Sequence, residues 1–214
     1  MKIKTITYTE YKKQIPQSGR HILASQTVDT ILVYQAFKPA IADYAIRHQQ
    51  FGGSDYSYTR MSWIKPNFLW MMYRAGWATK RDQERILGIY LKKDDFNYLL
   101  SHSAFTSYDA TQHESHESWK NELAHKEVRL QWDPDHDPYG NKEVRKAMQI
   151  GIKGELLQKF GKSMITEIVE LTDFVESQRA LVDSKNLDQL VVPEESVYMP
   201  DSADLRKQIG LEPG

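Results

Sequence analysis

The sequence predicts an α+β fold in a single domain, with a mixed, twisted β-sheet flanked by helices. Three observations predict it. Short runs rich in β-branched and aromatic residues recur along the chain, separated in irregular order by stretches with apolar residues at helical spacing. No Gly-rich fingerprint follows a first strand, so the pattern is not that of a doubly wound nucleotide-binding fold. No internal repeat or clear boundary divides the chain. We place the globular domain at residues 1–190 and read residues 191–214, which hold three prolines and many acids, as an acidic C-terminal tail.

The elements follow in order. The first 20 residues read as an extended lead-in, with enough alternation from Thr5 to Thr9 for a short strand, and a turn at Ser18-Gly19. Thr30 to Ala36, TILVYQA, reads as a buried strand. Pro39 opens a helix with Ile41, Tyr44, Ala45 and His48 at helical spacing. Phe51 to Thr59 is a loop of Gly, Ser and Tyr, a type of segment that often carries binding residues. Met61 to Ile64 is a short strand, and Asn67 caps a helix that closes near Gly76. Glu84 to Leu91 is the next strand, followed by a helix capped by Asp94. Ser115 to Lys126 is helical, and Val128 to Trp132 is a strand. Asp133 to Gly140, DPDHDPYG, reads as a loop, because two prolines and three aspartates interrupt any regular pattern. Ala147 to Lys153 and Ile165 to Leu171 are strands, each followed by a helix.

Composition narrows the chemistry. The 214 residues are 40% apolar and 27% charged, an ordinary globular balance for a chain able to build a full core. The absence of cysteine excludes a disulfide scaffold, a thiol nucleophile and a cysteine-ligated metal. No apolar run reaches spanning length and the N-terminus lacks a signal-like apolar core, so the expectation is a cytoplasmic protein without a membrane partner. Net charge is −1, yet Arg60 to Lys93 holds eight Lys/Arg against two acids, while Glu170 onward holds ten acids against four Lys/Arg. The basic stretch is either a solvated face balanced by an acidic tail or a patch that attracts phosphate.

The second reading gains from the aromatics in the same stretch. RMSWIKPNFLWMMYRAGW contains Trp63, Trp70 and Trp77, three of the five tryptophans. Its Phe, Leu and Met positions suit a helix inserted into a core. Arg60, Lys65 and Arg74 interrupt that pattern, and a buried cation must find an acid or face a cleft that takes phosphate or carboxylate. Ser62, Trp63 and Lys65 surround a strand end, and Tyr56, Tyr58 and Trp63 are candidates for stacking on a base. Arg145 and Gln149 are candidates to extend this surface.

Other chemistry is less specific. Asp133, Asp135 and Asp137 alternate beside His136, as in a hard-metal loop, but the calcium-loop glycine and closing glutamate are missing. A surface turn or a pairing of Asp133 with a buried cation are the alternatives. Glu167 lies among Ile and Val, where a carboxylate can acquire a shifted pKa. Ser62 is a possible hydroxyl nucleophile if a base stands beside it.

Four segments carry a resemblance: Asp29 to Phe37, Arg60 to Trp77, Val128 to Pro134 and Gln149 to Gly151. Together they resemble a family of small bacterial and fungal proteins known only as a domain of unknown function. Members often carry Ile-Arg-Ala near the start, where this chain has Ile22, Leu23 and Ala24, with Arg20 as the nearest substitute. A looser, fold-level comparison is with enzymes that transfer ADP-ribose from NAD. These are similar in lacking a Gly-rich fingerprint and hold NAD on a split sheet. The comparison implies an early Arg or His (Arg20 or His21), a Ser (Ser62), a stacking aromatic (Trp63 or Tyr73) and a late Glu (Glu167).

The resulting expectation is a nucleotide- or nucleic-acid-handling enzyme, most concretely an NAD-using ADP-ribosyltransferase-like transferase. Arg60, Lys65 and Arg74 would hold phosphates, Trp63 and the tyrosines would stack, and Glu167 or Asp133 would supply the carboxylate. A non-catalytic RNA- or DNA-binding module and a metal-dependent phosphoesterase built on Asp133, Asp135 and Asp137 are the alternatives.

Overall fold

The computed structural model describes residues 3–211. It opens with β1 (Thr5–Thr7) and α1 (Tyr8–Gln14), where the sequence predicts an extended lead-in. The helix forms because the Thr7 hydroxyl accepts the Glu10 amide at 3.3 Å, and because Tyr8 and Tyr11, three positions apart, are buried on one side. Next come β2 (Ile22–Ala24), β3 (Thr30–Phe37), α2 (Pro39–His48), β4 (Ser62–Ile64) and α3 (Phe68–Ala75). The middle of the chain is β5 (Arg85–Lys92), α4 (Lys93–Ser101), β6 (Ser103–Phe105) and α5 (His116–His125). After these are β7 (Val128–His136), β8 (Lys142–Ile152), α6 (Gly154–Lys159), a π-helical turn at Phe160–Met164, β9 (Ile165–Glu170) and α7 (Thr172–Asp183). The final elements are β10 (Val191–Pro193), β11 (Ser196–Tyr198) and α8 (Ala203–Gln208).

The fold is α+β. Its principal strands form a three-stranded antiparallel sheet, β3-β5-β9, and a four-stranded sheet, β4-β8-β7-β6, in which only β6 and β7 are parallel. One bridge joins the two sheets. The Tyr34 amide donates to the Lys65 carbonyl at 2.7 Å, and the Lys65 amide donates back at 3.1 Å. Beyond this bridge no further backbone pairing joins β3 and β4 among the described residues, Gln35 reaches across through its side chain, and this split positions the site described below.

The segment read from sequence as a tail is paired with the body as far as it is described. β10 is antiparallel to β1, and β11 to β2, so extended N-terminal backbone finds its hydrogen-bond partners in residues 191–198. Residues 212–214 of that segment lie outside the described residues. β7 also departs from the sequence expectation, because it continues through Asp133, Pro134 and Asp135. β6 pairs only with Val128 to Leu130, so beyond that point β7 has β8 as its partner and an open edge on the other side. Proline is tolerated at such an edge, and the ladder shifts register between Pro134 and His136.

Two apolar clusters enclose β3. Ile31 and Val33 pack with Ile64, Leu130 and Ile150 of the four-stranded sheet. Leu32 and Tyr34 pack on the other face, with Phe68, Met71 and Met72 of α3. A strand buried on both faces has no reason to alternate, which is why TILVYQA reads as a continuous run. No helix among the described residues is long and apolar enough to cross a membrane.

Candidate functional site

The site is built on α3. Asn67 caps this helix, accepting the Trp70 amide at 2.7 Å, and Gly76 ends it in a left-handed conformation at φ 57°. Trp77 and Ala78 continue at φ 52° and 66°, unusual for non-glycine residues. They are held there because the Trp77 indole donates to the Pro138 carbonyl at 3.0 Å and Arg179 donates to the Trp77 carbonyl at 3.1 Å. Of the eight residues of α3, only Tyr73 and Arg74 are exposed. The buried carboxyl group of Glu195 anchors the N-terminus, accepting from the Phe68 amide at 2.7 Å, the Tyr11 hydroxyl at 2.8 Å and the Asn67 side-chain amide at 3.1 Å.

A cavity of about 570 Å3 lies where the two sheets split. The end of β3 supplies Gln35, β4 and its exit supply Ser62, Trp63 and Lys65, and α3 supplies Trp70 and Arg74 one turn apart. Gln131 and Asp133 from β7 and Gln149 from β8 close the other side. Six residues that sequence reasoning singles out, Ser62, Trp63, Lys65, Arg74, Asp133 and Gln149, therefore meet here.

Lys65 is the buried cation of the cavity, 6% exposed. Its ammonium has one contact, the Trp63 carbonyl at 3.5 Å, and it makes no ion pair among the described residues. Burial pushes its pKa down to about 7, the charge of Arg74 pushes the same way, and Asp133 opposes them. Asp133 is held by two amides, accepting from Gln131 at 2.8 Å on one oxygen and from Gln149 at 2.8 Å on the other. Of the alternatives open for Asp133, pairing with a cation gives way to a pair of glutamines, and Lys65 feels only its field.

The tryptophans divide into two groups. Trp77, Trp119 and Trp132 each donate their indole N–H to a backbone carbonyl. Trp63 and Trp70 have no such bond among the described residues, and both line the cavity. Trp63 is half-buried, whereas Trp70 Nε1 is buried, and Gln35 adds a second buried atom without a partner. Its amide nitrogen donates to Ser62 Oγ at 2.7 Å and to the Trp63 carbonyl at 3.1 Å, which leaves its buried Oε1 without a donor. Buried polar atoms without partners are uncommon, and two of them, Trp70 Nε1 and Gln35 Oε1, belong to residues that line this cavity.

A family model for a domain of unknown function, DUF4291, matches residues 21–198. The chain belongs to the DUF4291 family. No curated protein matches it. The DUF4291 match spans the cavity from Gln35 to Gln149, and includes Glu195 below α3.

The other candidates lie elsewhere in the DUF4291 fold. Arg60 is exposed, makes no ion pair among the described residues and does not line the cavity. Tyr56 packs on Phe37 and Phe51, and Tyr58 donates to the Phe51 carbonyl at 2.8 Å, so both serve the core. Arg20 pairs with Asp109 at 3.0 Å beside a separate, smaller cavity, and His21 precedes β2. Arg145 is buried against Asp135 at 2.6 Å rather than facing a ligand. Glu167 is paired across β9 and β5 with Tyr90, itself opposite Leu32, so it shares the face of Leu32 and Tyr34. Gln35 faces the other side of that sheet.

The three aspartates of DPDHDPYG have three different partners. Asp133 takes the glutamines, Asp135 takes Arg145, and Asp137 accepts from the Tyr139 and Asn141 amides of the turn. Among the described residues no group of three His, Cys, Asp or Glu could hold a metal. Ser62 has the Gln35 amide beside it and, among the described residues, no base in hydrogen-bond contact, so it is not equipped as a nucleophile.

Sequence reasoning missed Gln35, Trp70 as a lining residue, and Glu195. A signal existed for the first, since a lone glutamine interrupts an apolar strand run. Nothing local marks Glu195, which is buried only because β10 and β11 lead the chain beneath α3.

Proposed function

We propose that this protein is a nucleotide-handling enzyme that binds its ligand in the cavity at the split between the two sheets. The observation that carries the reading is the convergence there of two cations, two indoles with free N–H groups and a carboxylate held by two glutamines. Arg74 at the rim and Lys65 within suit phosphate oxygens, Arg through its planar fork and Lys as a point charge. The indoles offer faces for a ring. Asp133 suits ribose hydroxyls, with Gln131 and Gln149 fixing its orientation.

The more specific form is an NAD-using transferase of the ADP-ribosyl type. A split sheet with Ser62 and Trp63 on a strand at the opening supports it. Glu167 stands on the opposite face of the three-stranded sheet, so the carboxylate of this reading is Asp133. As the bond between ribose C1′ and the nicotinamide nitrogen breaks, positive charge grows on the ribose, and a preoriented carboxylate stabilises it. Trp70 is buried and Tyr56 and Tyr58 are half-buried against the core, which gives less support to an open stacking platform for single-stranded RNA.

The test is a thermal-shift series with NAD, ATP, GTP and a short RNA. A ligand at one hundred times its Kd adds about 2.7 kcal/mol, or roughly 5–10 °C in Tm for a chain of this size. The expected result is a shift with NAD or a nucleoside triphosphate that Arg74→Ala abolishes. The absence of a shift with all four ligands overturns the reading.

A further inference from the structure

Among the described lysines, Lys65 alone is buried. Its backbone is fixed on both sides, since its amide and carbonyl both bond to Tyr34 across the bridge between the sheets. Its side chain then runs into the cavity with three donor protons and a single long contact, to the Trp63 carbonyl. A lysine that served packing alone would leave a buried charge uncompensated, a role that an apolar residue fills at lower cost. The lysines at another cavity, about 850 Å3 at the Thr30–Lys92 end of β3 and β5, differ: Lys92 is exposed and Lys93 lies over the Tyr198 ring.

We propose that Lys65 is a covalent nucleophile whose ε-amine condenses with the carbonyl of an anionic aldehyde or keto acid bound in the cavity, forming an imine. The nitrogen lone pair attacks the carbonyl carbon, and a proton passes from nitrogen to the carbonyl oxygen to give a carbinolamine. Loss of that oxygen as water leaves the carbon–nitrogen double bond, so the amine and the carbonyl compound become the imine and one water. No oxidant or cofactor is needed. An amine desolvated beside another cation is the arrangement that activates lysine for this chemistry. Burial and the Arg74 guanidinium keep a large share of the amine unprotonated near neutral pH. Arg74, one turn after Trp70 on the cavity rim, is the group that meets the anionic end of the substrate.

The inference rests on the same cavity as the nucleotide reading but does not require nucleotide binding. Its test is reductive trapping on the full chain at about neutral pH, with glyoxylate as the anionic carbonyl and propanal as the neutral one. Cyanoborohydride reduces the imine, and peptide mass spectrometry locates the adducts. Lys65 is expected to label on the order of 100-fold faster than the exposed Lys92, because burial lowers the Lys65 pKa to about 7. Arg74→Ala should abolish the preference for glyoxylate over propanal while leaving labelling of Lys92 unchanged. Prior addition of a nucleotide that shifts Tm should slow labelling of Lys65 alone. Labelling of Lys65 no faster than Lys92 in the folded protein overturns the proposal, and a nucleotide-induced Tm shift in the same sample would leave the nucleotide reading intact.

Discussion

The six-membered ring of Trp63 occupies the place that a side chain on Gly151 would take. A Cβ built at Gly151 would stand 2.9 Å from both Cε2 and Cζ2 of the indole, and 2.7 Å from Met61 Sδ. Trp63 and Gly151 are direct partners across β4 and β8, so the glycine lets the indole lie against the neighbouring strand. Gly151→Ala should displace the Trp63 ring. We expect a modest loss of stability, about 1–2 kcal/mol, but a clear change in Trp fluorescence and at least tenfold weaker binding of whichever nucleotide shifts Tm. Unchanged affinity would remove Trp63 from the binding surface.

Glu195 should make stability fall as pH rises. Burial raises its pKa from 4.5 to about 8, against the hydrogen bonds from Tyr11 and the Phe68 amide. The folded state thus keeps a proton that the unfolded chain has lost. The contribution is complete below pH 4.5 and is lost as pH climbs through 8, at up to about 1.4 kcal/mol per pH unit. Urea denaturation of Glu195→Gln should show this decline removed. Glu195→Ala, which leaves three donors at the start of α3 unsatisfied, should cost roughly 3 kcal/mol at pH 5.

Lys65 should produce the opposite slope in the next window. Its pKa falls from 10.5 to about 7, so the unfolded chain binds the extra proton and stability rises as pH goes from 7 to 10.5. Lys65→Met should be more stable than the parent by on the order of 3 kcal/mol at pH 6, with the two converging near pH 10.5. A constant difference across this range would mean that the folded lysine is not desolvated. The same variant should yield no adduct in the trapping experiment.

The Asp135–Arg145 pair should be purely structural. Its side chains are 1% and 4% exposed, and Arg145 also donates to the Pro16 carbonyl at 2.9 Å. Asp135→Ala leaves a buried guanidinium without its counter-charge and should cost about 3–5 kcal/mol. Nucleotide affinity, measured where the variant is still folded, should be unchanged.

Legibility in the sequence followed the range of the interaction. The α+β class, α3 with its Asn67 cap and Gly76 stop, and the apolar run of β3 were readable because each depends on neighbours a few residues apart. So was the clustering of Ser62, Trp63, Lys65 and Arg74, which one strand-turn-helix segment carries. Asp133 was named as a candidate, but its continuation in β7 was hidden by two prolines, since composition does not tell an open strand edge from a loop.

By itself, then, the sequence determined the class, the principal elements and the segment that bears the chemistry. Only the tertiary structure decided which cations meet a cavity and which meet an acid. Arg145 and Lys65 are both buried, yet a partner ten residues away neutralises one while the other faces Trp63, Trp70 and Asp133 across the split. It also decided that Glu167 and Gln35 face opposite sides of one sheet, and that Glu195 reaches the start of α3 from the far end of the chain. The reason is physical. A charge costs little until it is desolvated, and desolvation is set by how strands distant in sequence close over one another, a relationship that no local pattern encodes.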